Sequence, residues 1–261
     1  MQTFTVFSDL FLSMKIFGII PARYASTRFP GKPLARIGDR TMIRRVYERC
    51  LACRDLDELA VATDDERIGQ EVASFGGKVI LTSPDHASGT ERCGEAARLI
   101  KARPGDIVIN IQGDEPFIHP DQVSQVAGLF RNKEVEIGTL VKRIASPEEL
   151  FSPHTVKATF DILHRAICFS RQALPYCREA VPEQWLSSTA YYKHIGLYGY
   201  RAGILQQLVK LQPSPLEKAE SLEQLRWIEN GFRVHVALTD RDSLSIDTPA
   251  DLLKITNTDG F

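Results

Sequence analysis

Short apolar runs alternate with helical patterns through the first half of the chain, and this alternation restricts the possible folds most strongly. The predicted strands and intervening helices cover residues 16–20, 41–53, 58–63, 65–75, 78–82, 90–101 and 106–112. Strands that alternate with helices of about ten to fifteen residues are typical of βαβ units. A parallel sheet made from such units is covered by helices on both faces. We therefore predict a three-layer α/β/α, Rossmann-like fold with a mostly parallel central sheet.

The second half of the chain has a different pattern. Short strands, a longer strand, two helices, a further strand and a last helix are predicted at 155–161, 166–170, 191–200, 202–211, 216–230, 233–237 and from Pro249. This mixture indicates a smaller lobe added to the sheet, not an independent domain.

A basic loop from Pro21 to Pro33 follows the first predicted strand. It carries three cations, Arg23, Arg28 and Lys32, while prolines restrict its backbone and so lower the entropy lost on binding. Open α/β sheets bind ligands at the carboxyl ends of their strands. The net charge of −1 provides no global field for nucleic acid or an anionic membrane. We therefore predict local binding of a nucleoside triphosphate by this loop.

Two familiar phosphate-binding motifs are absent from this position. Gly31-Lys32 lacks both the earlier glycine and the following Ser or Thr of a Walker loop, and no Gly-x-Gly-x-x-Gly follows the strand. A solvated basic surface loop is the alternative explanation for the cation cluster.

Two aspartates are candidates for a metal site. Asp114 directly follows the most apolar strand, and Asp247 directly precedes a predicted helix with Thr248 as N-cap, Pro249 at the first position and Asp251 in a capping-box-like position. Each aspartate alone could be a turn or capping residue. Together with the basic loop they suit Mg²⁺, which binds one or two carboxylates plus substrate phosphates.

The cysteines and the N-terminus bear on location and boundaries. Five cysteines are an odd number and indicate reduced thiols in the cytoplasm. Residues 1–13 are apolar but match neither a signal peptide nor a membrane span, so we expect an extension outside the fold. Residues 14–261 are predicted as one domain, with 14–150 mainly binding nucleotide, 151–245 binding sugar and a second subunit, and 246–261 forming a C-terminal helix segment.

Eight stretches together resemble one known family. They are Pro-Ala-Arg-Tyr-Ala-Ser-Thr-Arg-Phe-Pro-Gly-Lys-Pro-Leu (21–34), Asp-His-Ala-Ser-Gly-Thr-Glu-Arg (85–92), Gln-Gly-Asp-Glu-Pro (112–116), Phe-Ser-Arg (169–171), Lys-His-Ile-Gly-Leu-Tyr-Gly-Tyr-Arg (193–201), Pro-Ser-Pro-Leu-Glu (213–217), Leu-Glu-Gln-Leu-Arg (222–226) and Ile-Asp-Thr-Pro-x-Asp-Leu (246–252). They occur in order from about Met14 to the last helix. In them the chain resembles the 3-deoxy-manno-octulosonate cytidylyltransferases, or CMP-Kdo synthetases.

The resemblance implies a nucleotidyltransferase that activates 3-deoxy-D-manno-octulosonate (Kdo) with CTP for lipopolysaccharide biosynthesis. CMP-Kdo and pyrophosphate would be the products, Mg²⁺ the cofactor, and a homodimer without nucleic-acid or membrane partners the assembly. By position it implies catalytic roles for Arg23, Lys32, Asp114 and Asp247; nucleotide binding by Ala22, Arg23, Arg28, Lys32, Ser88, Gly89, Thr90 and Gln112; sugar binding by Arg171, His194, Tyr198, Glu223 and Gln224; and metal binding by Asp114 and Asp247.

The residues allow a partial check of the sugar set. Arg171 can bind a carboxylate with two parallel hydrogen bonds. His194 and Tyr198, four apart on a strand, share one face. For Glu223 and Gln224, beside core-facing leucines, the alternative is a solvated helix side.

Three other functions remain open from the residues. A cytidylyltransferase for sialic acid would use the same sheet and metal chemistry. A metal-dependent glycosyltransferase could share the fold class, although no Asp-x-Asp follows a strand. A non-catalytic nucleotide-binding module would not require both aspartates.

Overall fold

The computed structural model describes residues 14–25 and 28–256, and the side chains within this part up to residue 253. The predicted extension at 1–13 lies outside the described residues. The strands are β1 Ile16–Ala22, β2 Arg36–Ile37, β3 Arg40–Thr41, β4 Glu58–Thr63, β5 Val79–Leu81, β6 Ile107–Asn110, β7 Ile137–Arg143, β8 Lys157–Phe160, β9 Ala166–Ser170, β10 Tyr192–Arg201 and β11 Val234–Leu238.

Helices fill most of the connections between these strands. They are α1 Met42–Leu51, α2 Glu66–Ser74, α3 Gly89–Leu99, α4 Pro120–Leu129, α5 Pro147–Phe151, α6 Trp185–Ser188, α7 Ala202–Leu208, α8 Pro215–Glu220, α9 Glu223–Glu229 and α10 Pro249–Thr256, with 3₁₀ turns at Lys32–Leu34 and Pro182–Gln184. None of the helices in the described part of the chain is long and apolar enough to cross a membrane.

One mixed sheet joins both halves of the described chain. Its main path has the order β11-β7-β10-β6-β1-β4-β5, and the β8–β9 hairpin attaches through β10. The pairs β1–β4, β1–β6, β4–β5 and β7–β11 are parallel, whereas β10 runs antiparallel to β6 and β7. The fold class is therefore confirmed, with β10 as an antiparallel strand inside the main path.

Helices cover both faces of this sheet, as the alternation of strands and helices predicts. Neighbouring β1 residues point to opposite faces. Ile20 packs with Ile43 of α1 and Val72 of α2, while Ile19 packs with Ala96 of α3 and Leu205 of α7. Two apolar layers thus hold the strands in register.

Several elements differ from the sequence prediction. No element is predicted above for residues 117–154, where the structure has α4, β7 and α5. The helix predicted at 216–230 is two helices, because Ser221 adopts a left-handed conformation with φ of 52° between α8 and α9. A non-glycine residue in that conformation ends the helix ladder.

Candidate active site

A cleft of about 230 Å³ opens where β1 and β6 end. It is lined by Pro21, Ala22, Arg23, Arg28, Lys32, Pro33, His86, Ala87, Ser88, Gly89, Arg92, Gln112, Gly113, Asp114 and Asp247. These include every residue predicted to be catalytic and every predicted nucleotide-binding residue except Thr90, which is buried behind the wall. The parallel strands β1 and β6 end on the same side of the sheet, so their following loops meet here.

The basic loop is folded so that Lys32 points into the cleft. Gly31 has φ of 71°, a conformation that favours glycine, and its amide donates to the carbonyl of Tyr24 over 2.9 Å. A Cβ at Gly31 would lie 3.1 Å from the Tyr24 ring, which itself packs under the guanidinium of Arg67. The tight turn starts the 3₁₀ turn Lys32–Leu34 and thereby fixes the origin of the lysine side chain.

Both candidate metal ligands contact one amino group. The Nζ atom of Lys32 lies 2.6 Å from Oδ2 of Asp114 and 3.5 Å from Oδ1 of Asp247. Arg28 also reaches Oδ1 of Asp247, over 3.1 Å. Two carboxylates that are 133 positions apart in sequence (114 to 247) thus converge on the ammonium group of one lysine. The arrangement places negative charge beside the cations predicted to hold phosphates.

Asp247 is brought to this position by the segment before α10. The amide of Ile246 donates to the carbonyl of Asp114 over 2.9 Å, and the Ile246 side chain is fully buried. The Asp251 carboxylate accepts bonds from the Asp247 amide (3.3 Å) and from the Thr248 amide and hydroxyl (3.0 and 2.8 Å). The predicted N-terminal cap of α10 is therefore confirmed, and it orders the residue next to the cap.

The turn after β6 positions Asp114 through two neighbours. A Cβ on Gly113 would lie 3.1 Å from the carbonyl oxygen of Pro21, so only glycine allows the two loops this close without a shift. On the other side, Glu115 is buried, and this burial raises the pKa of its carboxyl to about 7. Asp114 is left as the carboxylate of this turn that faces the cleft.

The 85–92 loop links the cleft wall to helix α9. Ser88 caps α3 by accepting from the Glu91 amide, and its hydroxyl donates to the Glu223 carboxylate over 2.9 Å. The Thr90 hydroxyl donates to the same carboxylate over 2.6 Å. Burial raises the pKa of Glu223. A predicted sugar residue thus holds two predicted nucleotide residues in place.

Sequence reasoning missed two residues in this wall. His86 lies 2.6 Å from the Glu95 carboxylate, and the buried Arg92 forms an ion pair with Asp64 over 2.9 Å and donates to Thr82. Both lie within the 85–92 stretch, which is the only sequence signal that could have indicated them. Arg92 adds a fourth cation to the cleft.

None of the predicted sugar residues lines the cleft, and His194 and Tyr198 form a second cluster on β10. His194 and Tyr198 share a face, with ring centroids 5.1 Å apart, although β10 bulges between Ile195 and Tyr198. Burial lowers the pKa of His194 to about 3, so its imidazole is neutral. Phe169 packs edge-on against His194.

Two bonds connect α9 and β10 to the cleft wall. They are the Glu223–Ser88 bond and a 3.2 Å bond from Nε2 of Gln112 to the carbonyl of Gly196 in the β10 bulge. Gln224 is buried on α9, while Arg171 lies at the end of β9, where its guanidinium bonds to the carbonyls of Glu220 and Pro153. Glu223 and the β10 bulge therefore adjoin the cleft wall.

The paired carboxylates fit a divalent cation. The Lys32 ammonium marks the point that both carboxylates can reach, and Mg²⁺ requires only one or two protein carboxylates beside substrate phosphates. No group of three metal-ligating side chains occurs within residues 14–25 and 28–256. An ion here would therefore depend on the substrate to complete its coordination.

Comparisons of sequence and structure with known proteins find similar enzymes. The family model for cytidylyltransferases matches residues 17–238. A 3-deoxy-manno-octulosonate cytidylyltransferase of Cytophaga hutchinsonii is 51% identical over 94% of this chain and 98% of its own length. The enzyme of the same name from Parabacteroides distasonis is 49% identical over 92% and 96%. Among solved structures, a CMP:2-keto-3-deoxy-manno-octonic acid synthetase in complex with CTP is 41% identical with a TM-score of 0.85, over 93% of this chain and 97% of that one.

Proposed function

The chain belongs to the cytidylyltransferase family of nucleotidyltransferases, and from this premise we propose that it transfers CMP from CTP to Kdo with release of pyrophosphate. The observation that carries the proposal is the convergence of Asp114 and Asp247 on Lys32 at the wall of a cationic cleft. The printed names of the relatives supply the two substrates.

The cations of the cleft are suited to the triphosphate. Arg23 and Arg28 are exposed, whereas Lys32 is largely enclosed beside the two carboxylates, with a side chain 16% exposed. We assign the arginines to steering and holding the outer phosphates and Lys32 to charge that develops on the reacting phosphoryl group. A fixed cation in a partly enclosed site stabilises such charge more than a solvated one does.

Asp114 and Asp247 would hold Mg²⁺ together with the phosphates of CTP. When bound, the ion would neutralise phosphate charge and lower the pKa of the sugar hydroxyl. The protein then has to align the hydroxyl with the α-phosphorus, because phosphoryl transfer depends mainly on positioning and charge stabilisation.

The predicted sugar residues would bind Kdo. The Arg171 guanidinium suits the sugar carboxylate. His194, neutral because of its low pKa, and Tyr198 suit sugar hydroxyls, and Glu223 lies where the sugar lobe meets the nucleotide wall. Gln112 bonds to the bulge between these groups and so couples the nucleotide side to the sugar side.

The three alternative functions are less well supported. The named relatives act on Kdo, not sialic acid, according to their names. A glycosyltransferase would release a nucleoside diphosphate, and a binding module would have no use for the converging carboxylates.

The decisive experiment is a coupled pyrophosphate assay with CTP, Kdo and Mg²⁺, each omitted in turn. We expect release only when all three are present. Equal or faster turnover of sialic acid would contradict the proposed substrate, and CTP binding without pyrophosphate release would contradict the proposed activity. Replacing CTP by UTP in the same assay tests the nucleotide assignment.

We also assign the enzyme to lipopolysaccharide biosynthesis in the cytoplasm, as a homodimer. All five cysteines are free thiols, which suits a reducing compartment.

Residues Ile162, Leu163 and Ile167 on the β8–β9 hairpin are 96%, 61% and 62% exposed, and such an apolar patch suits contact with a second copy of the chain. Strand β10 is hydrogen-bonded to β6 on one side and to β7 on the other, so its backbone is not available for pairing with a strand of a second subunit. Sedimentation of the chain and of Ile162→Lys tests the dimer: a monomeric parent chain contradicts it.

A further inference from the structure

Lys157 on β8 is a fully buried lysine that the proposed chemistry does not use. Its ammonium donates to three backbone carbonyls, those of Ser152 (2.8 Å), Thr155 (2.6 Å) and Arg171. Burial lowers its pKa. Burying an ammonium is costly unless it is fully hydrogen-bonded, and a methionine could fill the same space without this cost. The role of the ammonium is therefore to hold these three carbonyls in place by hydrogen bonds.

The backbone amide, the backbone carbonyl and the guanidinium of Arg171 are all hydrogen-bonded within the chain. The Glu220 carboxylate accepts from the Arg171 amide over 2.9 Å and from the Ser170 hydroxyl over 2.6 Å. Lys157 holds the Arg171 carbonyl. The Nε atom donates to the carbonyl of Glu220 over 2.7 Å and Nη1 to that of Pro153 over 3.0 Å. The residue is thus held from three separate segments.

These bonds leave one end of the guanidinium available. A guanidinium has five N–H donors, and a carboxylate can bind either its Nε edge or its Nη1–Nη2 end. The Nε edge is taken by Glu220, one of the two N–H groups of Nη1 is taken by Pro153, and no residue in the described part of the chain accepts a bond from Nη2, so one N–H of Nη1 and both of Nη2 are left. The Nη1–Nη2 end therefore remains as the fork for a carboxylate.

Two segments relate Arg171 to the other predicted sugar residues. Glu220 ends α8 three residues before Glu223, which bonds to Ser88 in the cleft wall. Phe169, two residues before Arg171, packs against His194. Arg171 is therefore attached to two segments, the end of β9 and the end of α8, whose neighbouring residues Phe169 and Glu223 contact the predicted sugar cluster and the cleft wall.

We propose that Lys157 and Glu220 are positioning residues that hold the Nη1–Nη2 end of Arg171 toward the carboxylate of the sugar acid. This inference rests on the proposed function. Neither residue touches substrate; each acts by fixing the backbone from which the arginine projects. A loss of either should weaken sugar binding while the nucleotide side remains unchanged.

The test compares Lys157→Met and Glu220→Gln with the parent chain, by steady-state kinetics with CTP and Kdo varied separately. Since Lys157→Met leaves three carbonyls without their donor, the milder Glu220→Gln serves if the first variant does not fold. We expect KM for Kdo to rise about tenfold and about threefold respectively, with KM for CTP within about twofold. Lys210→Met, at an exposed lysine, is the matched control and should change neither.

Two further readouts separate positioning from general structure. In an Arg171→Ala background the same substitutions should add less than about twofold, because their target is gone. The carboxamide of the sugar acid should inhibit the variants and the parent chain equally. Because the variants bind the carboxylate more weakly, the ratio of their affinities for carboxylate and carboxamide should fall.

The outcomes separate this inference from the proposed function. Equal rises in both KM values, or full effects in the Arg171→Ala background, would overturn the positioning role. No turnover of Kdo by the parent chain would overturn the proposed function and this inference with it.

Discussion

Lys32→Met should have opposite effects on turnover and on divalent-cation binding. The lysine ammonium contacts both Asp114 and Asp247, at 2.6 and 3.5 Å, and these are the carboxylates that would hold a metal ion. Removing it takes away a cation that stabilises the reacting phosphoryl group. It also removes the competitor that neutralises the two carboxylates before substrate binds.

The magnitudes follow from the burial of these groups. Loss of one preorganised charge partner of a transition state costs about 100- to 1,000-fold in kcat, or about 3–4 kcal/mol. The Lys32–Asp114 pair is only partly buried, with side chains 16% and 26% exposed, so its release is worth about 1 kcal/mol. Mn²⁺ should therefore bind the substrate-free variant about fivefold more tightly.

Pyrophosphate release measures kcat, and the electron paramagnetic resonance signal of free Mn²⁺ measures metal binding. Lys15→Met, at the opposite end of β1, is the control and should change neither quantity. Turnover within a few-fold of the parent chain, or weaker Mn²⁺ binding by Lys32→Met, would refute this reasoning.

Three other predictions address packing, pH dependence and the segment before α10. Gly199→Ala should lower the free energy of unfolding by about 1–3 kcal/mol in urea titrations, because its Cβ would lie 2.6 Å from the Phe130 ring; unchanged stability would contradict this packing. His194 has a pKa of about 3 when folded, below its ordinary value, so its contribution is present above pH 6.5 and is lost as pH falls from 6.5 toward 3. His194→Gln should therefore flatten the acid slope of unfolding free energy by up to about 1.4 kcal/mol per pH unit, and an unchanged slope would count against a neutral imidazole. Asp251→Ala should cost about 1 kcal/mol of stability and lower kcat about tenfold by releasing Asp247, and unchanged kcat would show that the cap does not order this residue.

Local signals were sufficient to predict the elements that build the cleft. Apolar runs that end in turn residues located β1 and β6, and the side-chain oxygen of Thr248 before a helical pattern located the cap of α10. Because parallel strands of one sheet end on the same side, the sequence also predicted which loops would approach each other. The positions of Asp114 and Lys32 follow from this rule.

Contacts between distant segments could not be predicted in this way. Strand β7 carries Gly138 and ends in Lys142 and Arg143, so its local pattern is weak, and its neighbours β10 and β11 lie far along the chain. Helix α4 begins with His119 as N-cap, an unusual residue for that position. Likewise, no local pattern links Glu223 to Ser88 or Lys157 to Arg171, because each bond depends on the completed sheet.

A double-mutant cycle on the two aspartates tests the central claim most directly. The measurement is kcat of Asp114→Asn, Asp247→Asn and the double variant at saturating Mg²⁺, CTP and Kdo. If both carboxylates hold one ion, each single variant should lose about 100-fold or more and the double variant little further, because residues that act as a unit are not additive. Losses that multiply in the double variant would show that the two carboxylates act independently, and would contradict the shared metal site.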